Sequence, residues 1–491
     1  MKKNSMRMLT ILGVVLAGLL GLTQPAQAAQ VAQAAQSAST TAASTTATPT
    51  LDKTLPNGLR VLVYEDRRAP TALHMVWLKA GSMDEVTGKT GLAHVLEHMM
   101  FKGTKTLGPG EFSRRVAALG GRENAFTSKE YTAYFQQVHR DALFEVMALE
   151  ADRMQNLVIS DEEFAKEIKV VMEERRLRTD DSPSGLAYEA LMAQAFLASP
   201  VRAPIIGWMS DLESLTAQDA RDWYAQWYAP NNATVIVAGD VQAQAVFDKV
   251  VALYGAWPTK ALPIARPQRE PEQTGARHVR VSAPAENPFF IKAWKAPTWT
   301  AADGPMTPSN EKARDIVALS VLSTLFDNQD FGRLTKRLVR DSRRALSVGL
   351  EADGISRGPG LIMLQATPAP QVPMADIERE FVAELAMLVS QGLPAQELDI
   401  IRRQAKAAEV YRLDSLFSRA MEAGRLVTAG RPLQDSADWL VMLEAIQAED
   451  LKRVALKYFN DSQSTMVELV PLSLDQASRP RRGFGNNLLR H

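Results

Sequence analysis

The stretch that most constrains this chain is Gly91-Leu92-Ala93-His94-Val95-Leu96-Glu97-His98-Met99-Met100-Phe101. Apolar residues at 92, 95, 96, 99 and 100 recur at helical spacing and predict a helix with one buried face. His94 and His98 lie four apart with Glu97 between them, so all three side chains leave roughly the same side. Two imidazoles one turn apart suit a tetrahedral zinc site, and the carboxylate beside them is placed to take a proton from water on the metal. The order H-x-x-E-H inverts the commoner H-E-x-x-H and belongs with the catalytic zinc motifs. Two helix histidines each satisfied by a hydrogen bond would give the same spacing. A third ligand decides between the two.

Candidates for it lie in Phe164-Ala165-Lys166-Glu167-Ile168-Lys169-Val170-Val171-Met172-Glu173-Glu174-Arg175. At about 100° per residue, Phe164, Ile168, Val171 and Met172 form the buried stripe of a helix. Glu167 and Glu174, seven apart, share one edge of that stripe, whereas Glu173 points to the far side. Glu174 is the better ligand and Glu173 the runner-up; Glu173 otherwise reads as an ordinary solvated carboxylate.

At 491 residues the chain exceeds one ordinary core, and its 46% hydrophobic and 23% charged content is that of a globular protein. Zero net charge gives no reason to expect nucleic acid as a partner. The absence of cysteine excludes disulfides, thiolate ligands and a cysteine nucleophile. Lys2, Lys3 and Arg7 precede an apolar run from Leu9 to Leu22 and then Ala26-Gln27-Ala28, the order of a signal peptide cut after Ala28. Its retention as an anchor is the alternative, but the run is short for a bilayer span of about 20 residues. The chain is therefore expected in a bacterial periplasm or secreted. Residues 29–50 form a flexible Ala, Gln, Ser and Thr lead-in, and 473–491 a basic tail.

Strands are predicted at 59–64, 71–79, 122–127, 131–138 and 233–238, with helices at 141–156, 161–178, 184–197, 217–228 and 242–253. Ser160 with Glu163 and Thr216 with Asp219 read as capping boxes. The Arg175, Arg176, Arg178 cluster and Asp180-Asp181 read as the solvated end of a helix. Residues 258–275 hold four prolines and many charges and make the best linker. The same order of elements returns beyond it: strands at 277–283, 289–295, 345–352, 360–366 and 465–469, with helices at 309–326, 330–341 and several between 374 and 458. The expected fold is α+β, with two similar domains at 51–257 and 276–472 from an internal duplication. Ala318 to Phe326 stands apolar where the first half has its ligands, so one half would carry the metal and the other cover it.

His94-Val95-Leu96-Glu97-His98, then Phe101-Lys102-Gly103-Thr104, and Glu174 seventy-six residues after His98 resemble the inverted-motif zinc peptidases. That family includes pitrilysin, insulin-degrading enzyme and the mitochondrial processing peptidase. Glu167-x6-Glu174 and Thr179-Asp180-Asp181-Ser182-Pro183 are similar to it as well. The resemblance implies that His94, His98 and Glu174 bind one Zn2+, that Glu97 is the general base, and that Glu167 is an outer carboxylate supporting catalysis. It also implies that Asn124-Ala125-Phe126-Thr127 is an edge strand pairing with an extended peptide substrate.

Members of the family that act alone carry an arginine and a tyrosine seven apart in the second domain. The matching positions here are Val339 and Leu346, or one residue on, Arg340 and Ser347. Neither register supplies the tyrosine. The expectation is a zinc endopeptidase acting as the catalytic subunit of a dimer, with a related chain or a second copy completing the site. A non-catalytic scaffold or binding subunit of the same fold is the alternative, and a third reading, a zinc hydrolase for a non-peptide substrate, ranks below the peptidase.

Overall fold

The computed structural model describes residues 48–264 and 268–472. The signal peptide, most of the lead-in and the basic tail fall outside the described residues. No helix among the described residues is long and apolar enough to cross a membrane.

Each half is built on one sheet. The first contains β1 (Leu51–Thr54), β2 (Arg60–Glu65), β3 (Thr71–Leu78), β4 (Arg122–Thr127), β5 (Thr132–His139) and β6 (Ala233–Gly239), in the order β1-β2-β6-β3-β5-β4. The second contains β7 (Arg277–Pro284), β8 (Phe289–Ala296), β9 (Ala345–Ala352), β10 (Gly360–Pro368) and β11 (Ser464–Leu472), in the order β7-β11-β8-β10-β9. Dropping β1 makes the two orders superimpose strand for strand. Each sheet has one parallel pair, β2 with β6 and β7 with β11, and is otherwise antiparallel. The duplication is thus present in topology although the residues have diverged.

The longer helices of the first half are α1 (Leu92–Met99), α2 (Glu111–Ala118), α3 (Leu143–Asn156), α4 (Asp161–Arg175), α5 (Pro183–Ala195), α6 (Ala217–Trp227) and α7 (Ala243–Tyr254). Strand β3 shows why two-sided cover is needed, since all but one of its eight residues are buried. Ala72, Val76 and Leu78 face the core shared with Val95, Leu96 and Met99 of α1 and with α3, α6 and α7. Leu73, Met75 and Trp77 face the other way. There they meet Ala420 and Ala423 of a second-half helix, Leu416–Thr428. The converse also holds. Ala187, Leu191 and Met192 of α5 pack on Ile291 and Ala293 of β8, Leu361 of β10 and Val467 of β11. The halves have exchanged one helix each, and each sheet is closed by the other's chain.

Several boundaries differ from expectation. Strand β1 was not expected, because Leu51-Asp52-Lys53-Thr54 has a single apolar residue; it forms by pairing with β2 from Leu51↔Val63 to Thr54↔Arg60. The helix expected over 161–178 is α-helical only to Arg175 and continues as a π-helical turn, Arg176–Asp180. In the helix expected over 330–341, the last part, Thr335–Asp341, is likewise π-helical. Thr216 and Asp219 form a reciprocal capping box, but Ser160 only accepts from Glu163 N, because the Glu163 carboxylate is drawn to Lys166 at 2.8 Å. The second half lies behind the first sheet and against its β4–β5 hairpin, where Arg357 grips Asp84 and the Glu130 carbonyl. Among the described residues it contributes no hydrogen-bond or ion-pair partner to His94, Glu97, His98 or Glu174.

Candidate metal centre and active site

Helix α1 presents His94 and His98 one turn apart, with ring centroids 4.8 Å from each other. Its amino end is uncapped by its own residue, Gly91, and is held instead from the preceding loop. Both oxygens of Glu85 are used there, one accepting from Gly91 N at 2.9 Å and the other from Ala93 N at 2.8 Å. A carboxylate at this end complements the helix dipole as well as the free N–H groups.

Helix α4 packs against α1 and brings both of its edge carboxylates to the imidazoles. Glu174 Oε2 lies 3.2 Å from His98 Nε2 and 3.8 Å from His94 Nε2. One ligand atom from each of the three residues falls within 4.8 Å of the others, and among the described residues no other group of this kind occurs. Ligand bonds of about 2.0–2.1 Å in a tetrahedron separate neighbouring donors by roughly 3.3 Å, so the donor set fits zinc. Glu173 is exposed and pairs with Arg176, away from the histidines.

The electrostatics favour a cation here. Burial pushes the His94 imidazole down to about 4, so it is neutral with a lone pair to offer. Burial would lower His98 too, but bonds to Glu167 and Glu174 outweigh it and lift His98 to about 9. Burial acts to raise Glu174, yet His98, His94 and Arg178 together bring its carboxyl down to about 2. The carboxylates therefore call for positive charge between them, which a proton on His98 or a metal ion can satisfy.

The imidazoles are unequally supported. His98 Nδ1 meets Glu167 Oε1 at 2.9 Å, and Lys102 holds Glu167 Oε2 at 2.5 Å. That chain fixes the His98 ring and aims Nε2 at the shared centre. Buried His94 Nδ1 has no protein partner. Glu167 therefore reaches the site through His98 and not among the converging donor atoms.

Glu97 stands apart from the donor set. Its Oε2 accepts from Thr127 Oγ1 at 2.6 Å, and burial raises its carboxyl above the ordinary value against the pull of that bond. A carboxylate raised in this way is suited to take a proton and release it again. Thr127 ends β4, which pairs with β5 on one side only and is the sheet's edge. Of the four residues expected along a substrate strand, Ala125 is buried, Phe126 packs edge-on to Trp77, and Asn124 Oδ1 accepts from Ala125 N. The Thr127 side chain is turned to Glu97.

Residues 60–207 match the family described as insulinase, peptidase family M16, and residues 214–405 match the one described as peptidase M16 inactive domain. The chain belongs to peptidase family M16. The zinc protease PqqE of Helicobacter pylori is 33% identical over 424 residues, which are 85% of this chain and 92% of that one. An Arabidopsis thaliana protein described as a "probable mitochondrial-processing peptidase subunit beta" is 26% identical over 432 residues, 85% of this chain and 78% of its own. Among solved structures, a protease from Helicobacter pylori superposes with a TM-score of 0.79 at 32% identity, covering 86% of this chain and all of that one. The Escherichia coli periplasmic protease PqqL, at 20% identity and a TM-score of 0.73, shares the fold; the match covers 87% of this chain and 49% of PqqL. The two matched regions meet between 207 and 214, whereas the first core runs to Trp257 and the second begins at Phe290, on either side of the proline-rich linker.

Four supporting side chains escaped the sequence reading. Arg178, expected in solvent at a helix end, forms an ion pair with Glu174 Oε1 at 2.6 Å, and Arg175 is buried against Glu189 and the Gly207 carbonyl. Acid and base four apart in that order was a visible signal for the first. Glu85 had a weaker one, as the second of two adjacent carboxylates shortly before a helix with no cap of its own. For Lys102 there was none beyond its place after the histidine motif.

Proposed function

We propose that the chain is an exported zinc-dependent endopeptidase that hydrolyses peptides or unfolded segments. What supports this above all is the convergence of His94 Nε2, His98 Nε2 and Glu174 Oε2, with Glu97 beside them and outside the donor set. Zinc held by those three residues supplies polarisation of the peptide carbonyl and lowers the pKa of water towards about 7. Thr127 occupies Glu97 Oε2, leaving Oε1 free to take the proton from the attacking water and hand it to the leaving amine. Glu167 keeps the proton of His98 on Nδ1, with Lys102 holding Glu167 in place. An extended substrate lies along β4, bound through the free main-chain groups of that edge, so selection by side chain is broad.

The missing arginine and tyrosine favour a second chain in the working enzyme, and the Arabidopsis relative is itself named a subunit. Leu346, in one register the tyrosine's position, is an exposed aliphatic side chain on β9. The signal-like amino terminus supports a site of action outside the cytoplasm. Cleavage of a quenched peptide, followed together with zinc content, tests the whole reading. The expected result is one zinc per chain, activity lost on chelation and restored by zinc, and a weak rate for the isolated monomer that rises with its partner. Metal-free, inert protein would favour the scaffold, and full activity of the isolated monomer would remove the dimer.

A further inference from the structure

Arg178 is not among the residues that touch the imidazoles, yet it occupies the second oxygen of the carboxylate that does. Its guanidinium holds Glu174 Oε1 at 2.6 Å while Glu174 Oε2 faces both histidines. The turn carrying it is built rather than loose. Helix α4 ends at Arg175 and gives way to the π-helical turn Arg176–Asp180, a local widening often found at functional sites. Arg175, buried, anchors the start of the turn through Glu189 and reaches Asp180 at its end, at 3.4 Å. Gly185 closes against it from the next helix: a Cβ there would lie 2.5 Å from the Arg178 carbonyl oxygen and 3.1 Å from Thr179 Cα.

We propose that Arg178 is a positioning residue that keeps Glu174 a one-oxygen ligand, so that the fourth position of the metal stays open to water and substrate. This rests on the zinc peptidase reading above. A carboxylate can bind a metal through one oxygen or two. In a catalytic zinc site with three protein ligands, a second oxygen from the same carboxylate would add a further ligand and crowd the position that water and substrate use. The guanidinium competes for that oxygen through a charge-assisted bond, which ties Glu174 Oε1 away from the centre. The Arg178 side chain is itself 66% exposed, so the pair adds little to the stability of the fold. Its effect falls on how Glu174 ligates.

This role predicts the opposite of what a simple support would do. Removing a residue that merely held Glu174 in place would weaken zinc binding about tenfold or more. Removing one that withholds an oxygen leaves binding equal or tighter and raises the coordination number. The experiment compares wild type, Arg178→Met and Arg178→Lys in the full chain. Zinc affinity is measured by competition with a chromophoric chelator, and the visible absorption of the cobalt-substituted protein reports coordination, weakening as the number of ligands rises. The expected result for Arg178→Met is a zinc Kd within about threefold of wild type or lower, and a cobalt band at least about twofold weaker. Peptide kcat/KM should fall about five- to tenfold, and Arg178→Lys, which can still hold one oxygen, should recover the wild-type band. An unchanged cobalt band in Arg178→Met, or zinc binding weakened tenfold, overturns the role while leaving the peptidase reading intact. A wild-type chain that binds no zinc removes the peptidase reading itself.

Discussion

Exchange of Glu97 for glutamine leaves one zinc per chain and lowers peptide hydrolysis by about a thousandfold, within the range that a positioned general base supplies. Glutamine has the same shape, and its amide oxygen can still accept from Thr127, so the edge strand and helix α1 remain in register. What it lacks is an oxygen that can take a proton. The ligand set does not include Glu97, and its loss should leave metal content untouched. Zinc measured by mass spectrometry beside kcat on a quenched peptide checks both halves of the expectation. Loss of metal would make Glu97 a ligand, and survival of the rate would place the base elsewhere.

Widening Gly424 carries the second large effect, on folding. A Cβ at this position would lie 2.0 Å from Trp77 Cε2, well inside contact distance. Trp77 has no room to yield: it is 2% exposed, packs against the tilted ring of Tyr131 with centroids 4.2 Å apart and donates Nε1–H to Met75 Sδ. Gly424→Val should destabilise the protein by roughly 3 kcal/mol, the upper part of the range for overpacking. Thermal unfolding of the full chain measures it. Trp77→Leu, itself costly, should make room, so the double substitution should be less destabilised than the two single effects predict together. Because Gly424 comes from the second half and Trp77 from the first, this coupling reports the exchange of helices directly. Additive losses would mean that the two halves do not meet there.

The parts of this architecture that were legible in the sequence are those with their own periodicity. Strand β6, Ala233–Gly239, is a continuous buried run, and α1 shows its apolar face at once. Glu174 could be chosen over Glu173 by angle alone, since helix geometry fixes which side of α4 meets the core. The features that stayed hidden depend on contacts distant in sequence. Strand β1 has no pattern of its own and exists by pairing with β2. Nothing in α5 says that its apolar residues meet β8 and β11 a hundred and more positions later. The π-helical turn is equally silent: 176–180 continues the residue preferences of a helix, and it is the packing of Gly185 and the anchoring of Arg175 that accompany the wider turn. The bond from Thr127 to Glu97 was hidden too, because the spacing of β4 cannot reveal that its last side chain turns to the histidine helix.

The central claim, that His94, His98 and Glu174 hold one zinc ion beside Glu97, is tested most directly by anomalous diffraction at the zinc absorption edge from crystals of the purified chain. The account predicts a single peak within about 2.2 Å of His94 Nε2, His98 Nε2 and Glu174 Oε2, with Glu97 outside bonding distance. A peak at any other place, or one coordinated by the histidines with Glu174 turned away, would contradict it.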